Sequence, residues 1–105
     1  MATVKDIYNF IDSIAPFNTQ EEWDNSGLLV GNENAEVTKI LFALDATSDV
    51  VDQAIKFGAN LIITHHPVIF KAVSDVLSDS LVYKLINNNI SIICAHTNYV
   101  TMINN

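Results

Sequence analysis

Arginine is missing from this chain altogether, and five lysines among 105 residues leave a formal net charge of −7. Arginine is the side chain that forks onto phosphates and guanine edges. An acidic segment without it lacks the electrostatic footprint of a nucleic-acid binder, and no nucleic-acid partner is expected. The same acidity attracts cations, or at its simplest keeps the chain soluble. Cysteine is nearly absent: Cys94 stands alone, so no internal disulfide can form. That fits a reducing cytosol, and a cytoplasmic location is the expectation. Cys94 lies in an apolar stretch with no acid or base beside it, which reads as a buried inert thiol and not a nucleophile. No apolar run reaches the length of a membrane span. Met1-Ala2-Thr3-Val4-Lys5-Asp6 has neither the basic nor the apolar part of a signal peptide, so no membrane partner is expected.

Half the residues are hydrophobic, a globular composition sufficient for one modest core. Val4, Ile7, Ile11 and Ile14 recur at helical spacing, with Thr3 as N-cap and Pro16 as stop. Residues 16–36 are polar and turn-rich, and Asn25-Ser26-Gly27 and Gly31-Asn32 bracket a short apolar piece, Leu28-Leu29-Val30. Lys39-Ile40-Leu41-Phe42-Ala43-Leu44-Asp45 reads as a strand. Ser48 is placed to cap a helix running to Phe57, stopped by Gly58. Residues 61–64 read as a second strand. Residues 78–88 read as a helix with Leu81, Val82 and Leu85 on one face, and Ile90-Ser91-Ile92-Ile93-Cys94-Ala95 as a third strand. Strand–helix–strand–helix–strand with nearly all-apolar strands predicts an α/β fold with a parallel βαβαβ sheet, preceded by an N-terminal helix and a turn-rich loop. Three parallel strands would leave an open edge unless something covers it, so the chain is expected to be a partial domain or an oligomer.

Chemistry-bearing side chains collect at the strand ends. Asp45 ends the first, His65 and His66 end the second in Leu61-Ile62-Ile63-Thr64-His65-His66-Pro67, and His96 ends the third. Ligands of open parallel sheets bind beyond the carboxyl ends of the strands, so all four should lie along one rim. A neutral imidazole carries a lone pair that binds metals. Neighbours on a regular strand point to opposite faces. Where the strand ends, however, the backbone turns, and Pro67 restricts His66 to an extended conformation. Two adjacent imidazoles can then serve two neighbouring metals, one each, more easily than one metal held by both, and the pair hints at a two-metal site. Asp24, Asp45 and His96 are the candidates to complete it. The bland alternatives are a hydrogen-bonded turn for the pair, a satisfied strand-end histidine for His96, and a helix cap for Asp45. In Glu21-Glu22-Trp23-Asp24-Asn25-Ser26-Gly27-Leu28-Leu29-Val30-Gly31 the tryptophan either anchors a loop to the core or marks a functional loop. The glycines do not form a phosphate loop, because the lysine that should follow is missing.

Trp23-Asp24-Asn25-Ser26-Gly27-Leu28-Leu29-Val30-Gly31, Ala43-Leu44-Asp45-Ala46-Thr47, Ile63-Thr64-His65-His66-Pro67-Val68-Ile69-Phe70 and Ala95-His96-Thr97-Asn98 together carry a family resemblance. From about residue 3 to 99 the chain resembles the N-terminal part of the Nif-three-like dinuclear metal-centre proteins, the GTP cyclohydrolase I type 2 homologues. The resemblance implies a hexameric toroid of α/β subunits whose two-metal sites face an internal cavity. It implies His65 and His66 as metal ligands, one for each ion. His96 matches a residue close to the metals, Asp24 and Asn25 a loop near the site, and Asp45 the acidic end of the first strand. The implied activity is metal-dependent hydrolysis of a nucleotide or related small molecule, with His96 or Asp45 orienting the water. Zinc, iron, manganese and nickel all suit such ligands. The sequence departs from the family pattern twice. Val100 stands where the pattern His-Thr-Asn-x-Asp has a ligating aspartate, and no His-x-x-x-Glu segment follows before Asn105. Residues 1–105 are therefore expected to be one α/β domain of a truncated, frameshifted or fragmentary product that holds metal weakly or not at all. The competing expectation is a non-catalytic assembly or regulatory module that keeps the fold without a complete site.

Overall fold

In the computed structural model, residues 2–20, 25–66, 69 and 75–99 are described. The N-terminal helix, α1, spans Val4–Ile14. Thr3 caps it as its spacing predicts: the Thr3 hydroxyl accepts from the Asp6 N–H (3.2 Å) while the Asp6 carboxylate accepts from the Thr3 N–H (2.9 Å), a reciprocal capping box. The helix ends at Ala15, and Pro16 opens a short 3-10 turn over Phe17–Thr19.

Four strands form one sheet: β1, Gly27–Val30; β2, Ile40–Ala43; β3, Leu61–Thr64; and β4, Ser91–Cys94, in the order β1-β4-β3-β2. β2, β3 and β4 are parallel, as the βαβαβ pattern predicts. The apolar piece Leu28-Leu29-Val30, read from sequence only as an interruption in a turn-rich loop, is a fourth strand and lies antiparallel against β4. At four residues it is too short to announce itself by alternation, and pairing with β4 makes it a strand. It covers one of the two edges that three parallel strands would leave open, and β2 forms the other.

Helix α2 spans Ser48–Phe57 and α3 spans Leu81–Asn87. The cap of α2 is Thr47 and not Ser48: the Thr47 hydroxyl accepts from the Val50 N–H at 3.2 Å, and Ser48 is the first helical residue. Gly58 closes the helix in the left-handed region (φ 80°), the role its position predicts. Both helices cross between parallel neighbours and pack on the same face, where Val51, Ala54 and Leu85 bury against Ile62 and Ile92. Leu81 and Val82 join that cluster at its margin. α1 covers the other face, where Val4 and Phe17 bury against Leu61 and Ile93. Ile62 and Ile92 feed one core and Leu61 and Ile93 the other, so these strands are apolar on both faces, with the buried hydroxyls of Thr64 and Ser91 at their ends.

Candidate metal centre

In the parallel ladder Ala43 pairs with Thr64, and Thr64 with Cys94. The three strands therefore finish level, and the residues that follow them arrive side by side. β1 runs the other way and Gly27 pairs with Cys94, so its leading residues Asn25 and Ser26 reach the same rim. The rim predicted from strand ends is the one observed, with Asp45, His65, His66 and His96 along it.

The two-histidine segment leaves strand geometry while held from both sides. The His65 and His66 N–H groups donate to the carbonyls of Ala43 (3.3 Å) and Leu44 (2.9 Å), and the Ala95 N–H donates to the Thr64 carbonyl (3.0 Å). The His65 carbonyl accepts from the buried Cys94 thiol (3.2 Å), and the His66 carbonyl from the Thr64 hydroxyl (2.8 Å). Both histidines lie in a bend. Their rings consequently stand together, 5.1 Å between centroids, and do not diverge as alternation along a strand would have them. His96 closes the group, at 4.8 Å from His65 and 5.5 Å from His66 between centroids.

Hydrogen bonds assign the tautomers. His65 Nδ1 is 3.1 Å from the Ala95 carbonyl, which can only accept, so Nδ1 carries the proton. His66 Nδ1 is 2.7 Å from Asp45 Oδ1 and donates to that carboxylate. Both Nε2 lone pairs are thereby left for a ligand, in the carboxylate–histidine and carbonyl–histidine arrangements that orient metal-binding imidazoles. One ligand atom from each of His65, His66 and His96 can be chosen so that all lie within 4.8 Å of one another. Nitrogen donors with backed Nδ1 protons fit a divalent transition cation. The site opens to solvent: the side chains of His66 and Asp45 are 47% and 61% exposed.

Asp45 does not cap α2, since Thr47 does. Two residues that sequence reasoning passed over position His96. Its backbone N–H lies 3.1 Å from both the Ser26 hydroxyl and Asn98 Oδ1, and Asn98 Nδ2 donates to the Ala15 carbonyl at the end of α1 (2.8 Å). Asn98 is fully buried. The signal for Asn98 was its place in His96-Thr97-Asn98; Ser26 left none beyond its turn. Asn25 ties the start of β1 to the Ile69 carbonyl, just past the histidine pair. Asp24, Trp23, Pro67 and Val100 lie outside the described residues.

A family model described as Duf34/NIF3 (NGG1p interacting factor 3) matches residues 2–101. A Clostridium acetobutylicum protein called "GTP cyclohydrolase 1 type 2 homolog" is 48% identical over 99 residues, covering 90% of this chain and 37% of that protein. A Staphylococcus epidermidis protein of the same name is 46% identical, and 27% of its length is covered. Among solved structures, a Staphylococcus aureus protein superposes with a TM-score of 0.88 at 45% identity, covering 91% of this chain and 32% of that one. A Bacillus cereus protein described as related to NIF3 gives 0.85 at 40% identity, with 91% and 28% covered. The chain thus spans about a third of the length of the relatives it matches.

Proposed function

The chain belongs to the Duf34/NIF3 family, and from that premise we propose that it carries the imidazole half of a metal-dependent hydrolase centre of the GTP cyclohydrolase 1 type 2 homologue kind. The observation that supports this reading is the convergence of His65, His66 and His96 at the carboxyl rim of the sheet, with two Nδ1 protons tied back. When bound, divalent cations supply Lewis acidity and make a water nucleophilic near neutral pH. Asp45 holds the His66 ring, and His96 is placed to orient a water or a substrate oxygen. Asp24 and Asn25 are proposed as part of the surrounding loop. The substrate would be a nucleotide or related small molecule, taken from the solvent side of the rim. Residues 1–105 would be the N-terminal α/β portion of the relatives' larger fold, working in the cytoplasm within a hexameric toroid. In the two-metal form of the reading, ligands come also from the extra length that the relatives possess, so hydrolysis by these residues alone would be weak.

Metal content after chelator-free purification tests the reading, measured beside a full-length relative. Bound divalent metal in both supports it, and only sub-stoichiometric traces in both overturn it. The second reading, an assembly or regulatory module without catalysis, is favoured by one observation: among the described residues, the candidate ligand cluster is three histidines, and the neighbouring Asp45 carboxylate has its Oδ1 on His66 Nδ1.

A further inference from the structure

We propose that β2 is a self-pairing edge. Two copies of this chain join antiparallel along Ile40–Ala43, about a two-fold axis at Phe42, and their sheets become one. The inference does not rest on the metal-binding reading.

The two edges of the sheet are built differently. At β1 the pairing slips between Leu28 and Val30, and Gly27 and Gly31 stand at its ends. Such irregularities blunt an edge against further pairing. β2 has none of them: it pairs with β3 without a slip, and Ile40 to Leu44 contains no proline and no charge. Its bonded side identifies its free side. The Ala43 carbonyl accepts from the His65 N–H and so faces β3. Backbone groups alternate along a strand, so the Phe42 N–H and C=O point to the open edge. Two Phe42 residues facing each other across a two-fold axis exchange both bonds, as in the hydrogen-bonded pair of an antiparallel ladder.

In that register the segment is complementary to itself. Lys39 meets Asp45, Ile40 meets Leu44, Leu41 meets Ala43, and Phe42 meets Phe42. Ile40 packs on the α1 side of the sheet and Leu41 on the α2 side. The α1 side of the joint is therefore an apolar row, and the other side is apolar with opposite charges at its two ends. An axis at Ile40 would set Lys39 against Leu41, and one at Leu44 would set Asp45 against Ala43, so charge selects Phe42. Phe42 and Leu44 are 71% and 67% exposed, and Phe10 and Ile14 of α1 overlook them. These side chains bring about 450 Å2 of exposed apolar surface per copy, which places the pair near the ~1,000 Å2 lower limit of specific interfaces. An interface at that limit gives a weak dimer that dissociates on dilution.

Sedimentation equilibrium of the whole chain, with chelator present so that metal plays no part, tests the proposal. A reversible monomer–dimer equilibrium is expected at micromolar and higher concentrations. Phe42→Lys places like charges at the axis and should weaken the dimer about 100-fold, with far-UV circular dichroism showing the fold retained. Lys39→Glu and Asp45→Lys each set like charges opposite one another and should each weaken self-association about tenfold. An equimolar mixture of those two variants should regain the wild-type constant, because every facing charged pair in the mixed dimer is again of opposite sign. That recovery reports the register and does not depend on Phe42→Lys folding. A monomer at every concentration overturns the proposal and leaves the edge to the extra length that the relatives possess. An assembly that Phe42→Lys leaves intact, or a mixture no tighter than its components, overturns it too.

Discussion

Asp45 Oδ1 and His66 Nδ1 lie 2.7 Å apart at the open side of the cluster, so one carboxylate sets the tautomer and the angle of one ring. Asp45→Asn keeps the shape but removes the charge, and its amide is free to present a donor to Nδ1. Cation affinity measured by competition with a coloured chelator is expected to fall about 10- to 100-fold, with thermal stability of the metal-free chain unchanged. Gly31 is constrained in a different way. It has φ 127°, and a Cβ there would come within 2.7 Å of the Ser91 backbone Cα. Gly31→Ala is expected to cost about 2 kcal/mol or more in urea denaturation, because both the backbone conformation and the close approach of β1 to β4 exclude a side chain. The sequence showed Gly31 as a turn glycine; that β4 runs directly beneath it depends on strand order.

At the scale of elements, the sheet's two faces are unequally covered. Under α2 and α3 the core is closed, and Ile62 and Ile92 are fully buried. Lys84 of α3 fastens the two helices, pairing with Asp52 at 2.7 Å and donating to the Ser48 hydroxyl at 2.7 Å. On the other face α1 does not reach over the end of β2. It leaves a groove of about 870 Å3 lined by Phe10, Ile14, Phe42, Leu44 and Tyr99, with His65 at its wall. Phe42 is 71% exposed although it lies within a strand. Ile62→Ala is therefore expected to cost about 2–5 kcal/mol, whereas Phe42→Ser should stay within about 0.5 kcal/mol. Equilibrium denaturation of the two variants side by side checks the contrast, and equal losses would contradict the coverage described. Sequence periodicity made α1, α2 and α3 legible, each with a side-chain cap, although α3 begins at Leu81 behind its Ser80 cap and not at residue 78. It could not distinguish Thr47 from Ser48 as the α2 cap, because both are hydroxyl residues at adjacent positions and the backbone selects between them.

For the whole molecule, a cation bound only by the folded chain must stabilise it, because the three imidazoles come from segments that the unfolded chain does not hold together. At a free concentration 100 times the dissociation constant the gain is about 2.7 kcal/mol. For a domain of this size that raises the melting temperature by roughly 10 °C or more. Differential scanning calorimetry with zinc or cobalt should show the rise and its reversal by chelator. A melting temperature indifferent to cation would count against a site formed by folding. Among the described residues, no helix is long and apolar enough to cross a membrane.

The sequence by itself determined the α/β class, the helices, the three parallel strands and the set of residues at their ends. These follow from local apolar periodicity and from the rule that parallel strands present their carboxyl ends together. Family membership was legible in the same motifs. Only the tertiary structure decided that Leu28-Leu29-Val30 is an antiparallel strand, that Ser26 and Asn98 position His96, and that Asp45 serves His66 and not a helix. It also decided how closely the three imidazoles of His65, His66 and His96 stand together. Each of these depends on contacts between segments distant in the chain, and a bend held by hydrogen bonds to both neighbouring strands has no signature in local spacing.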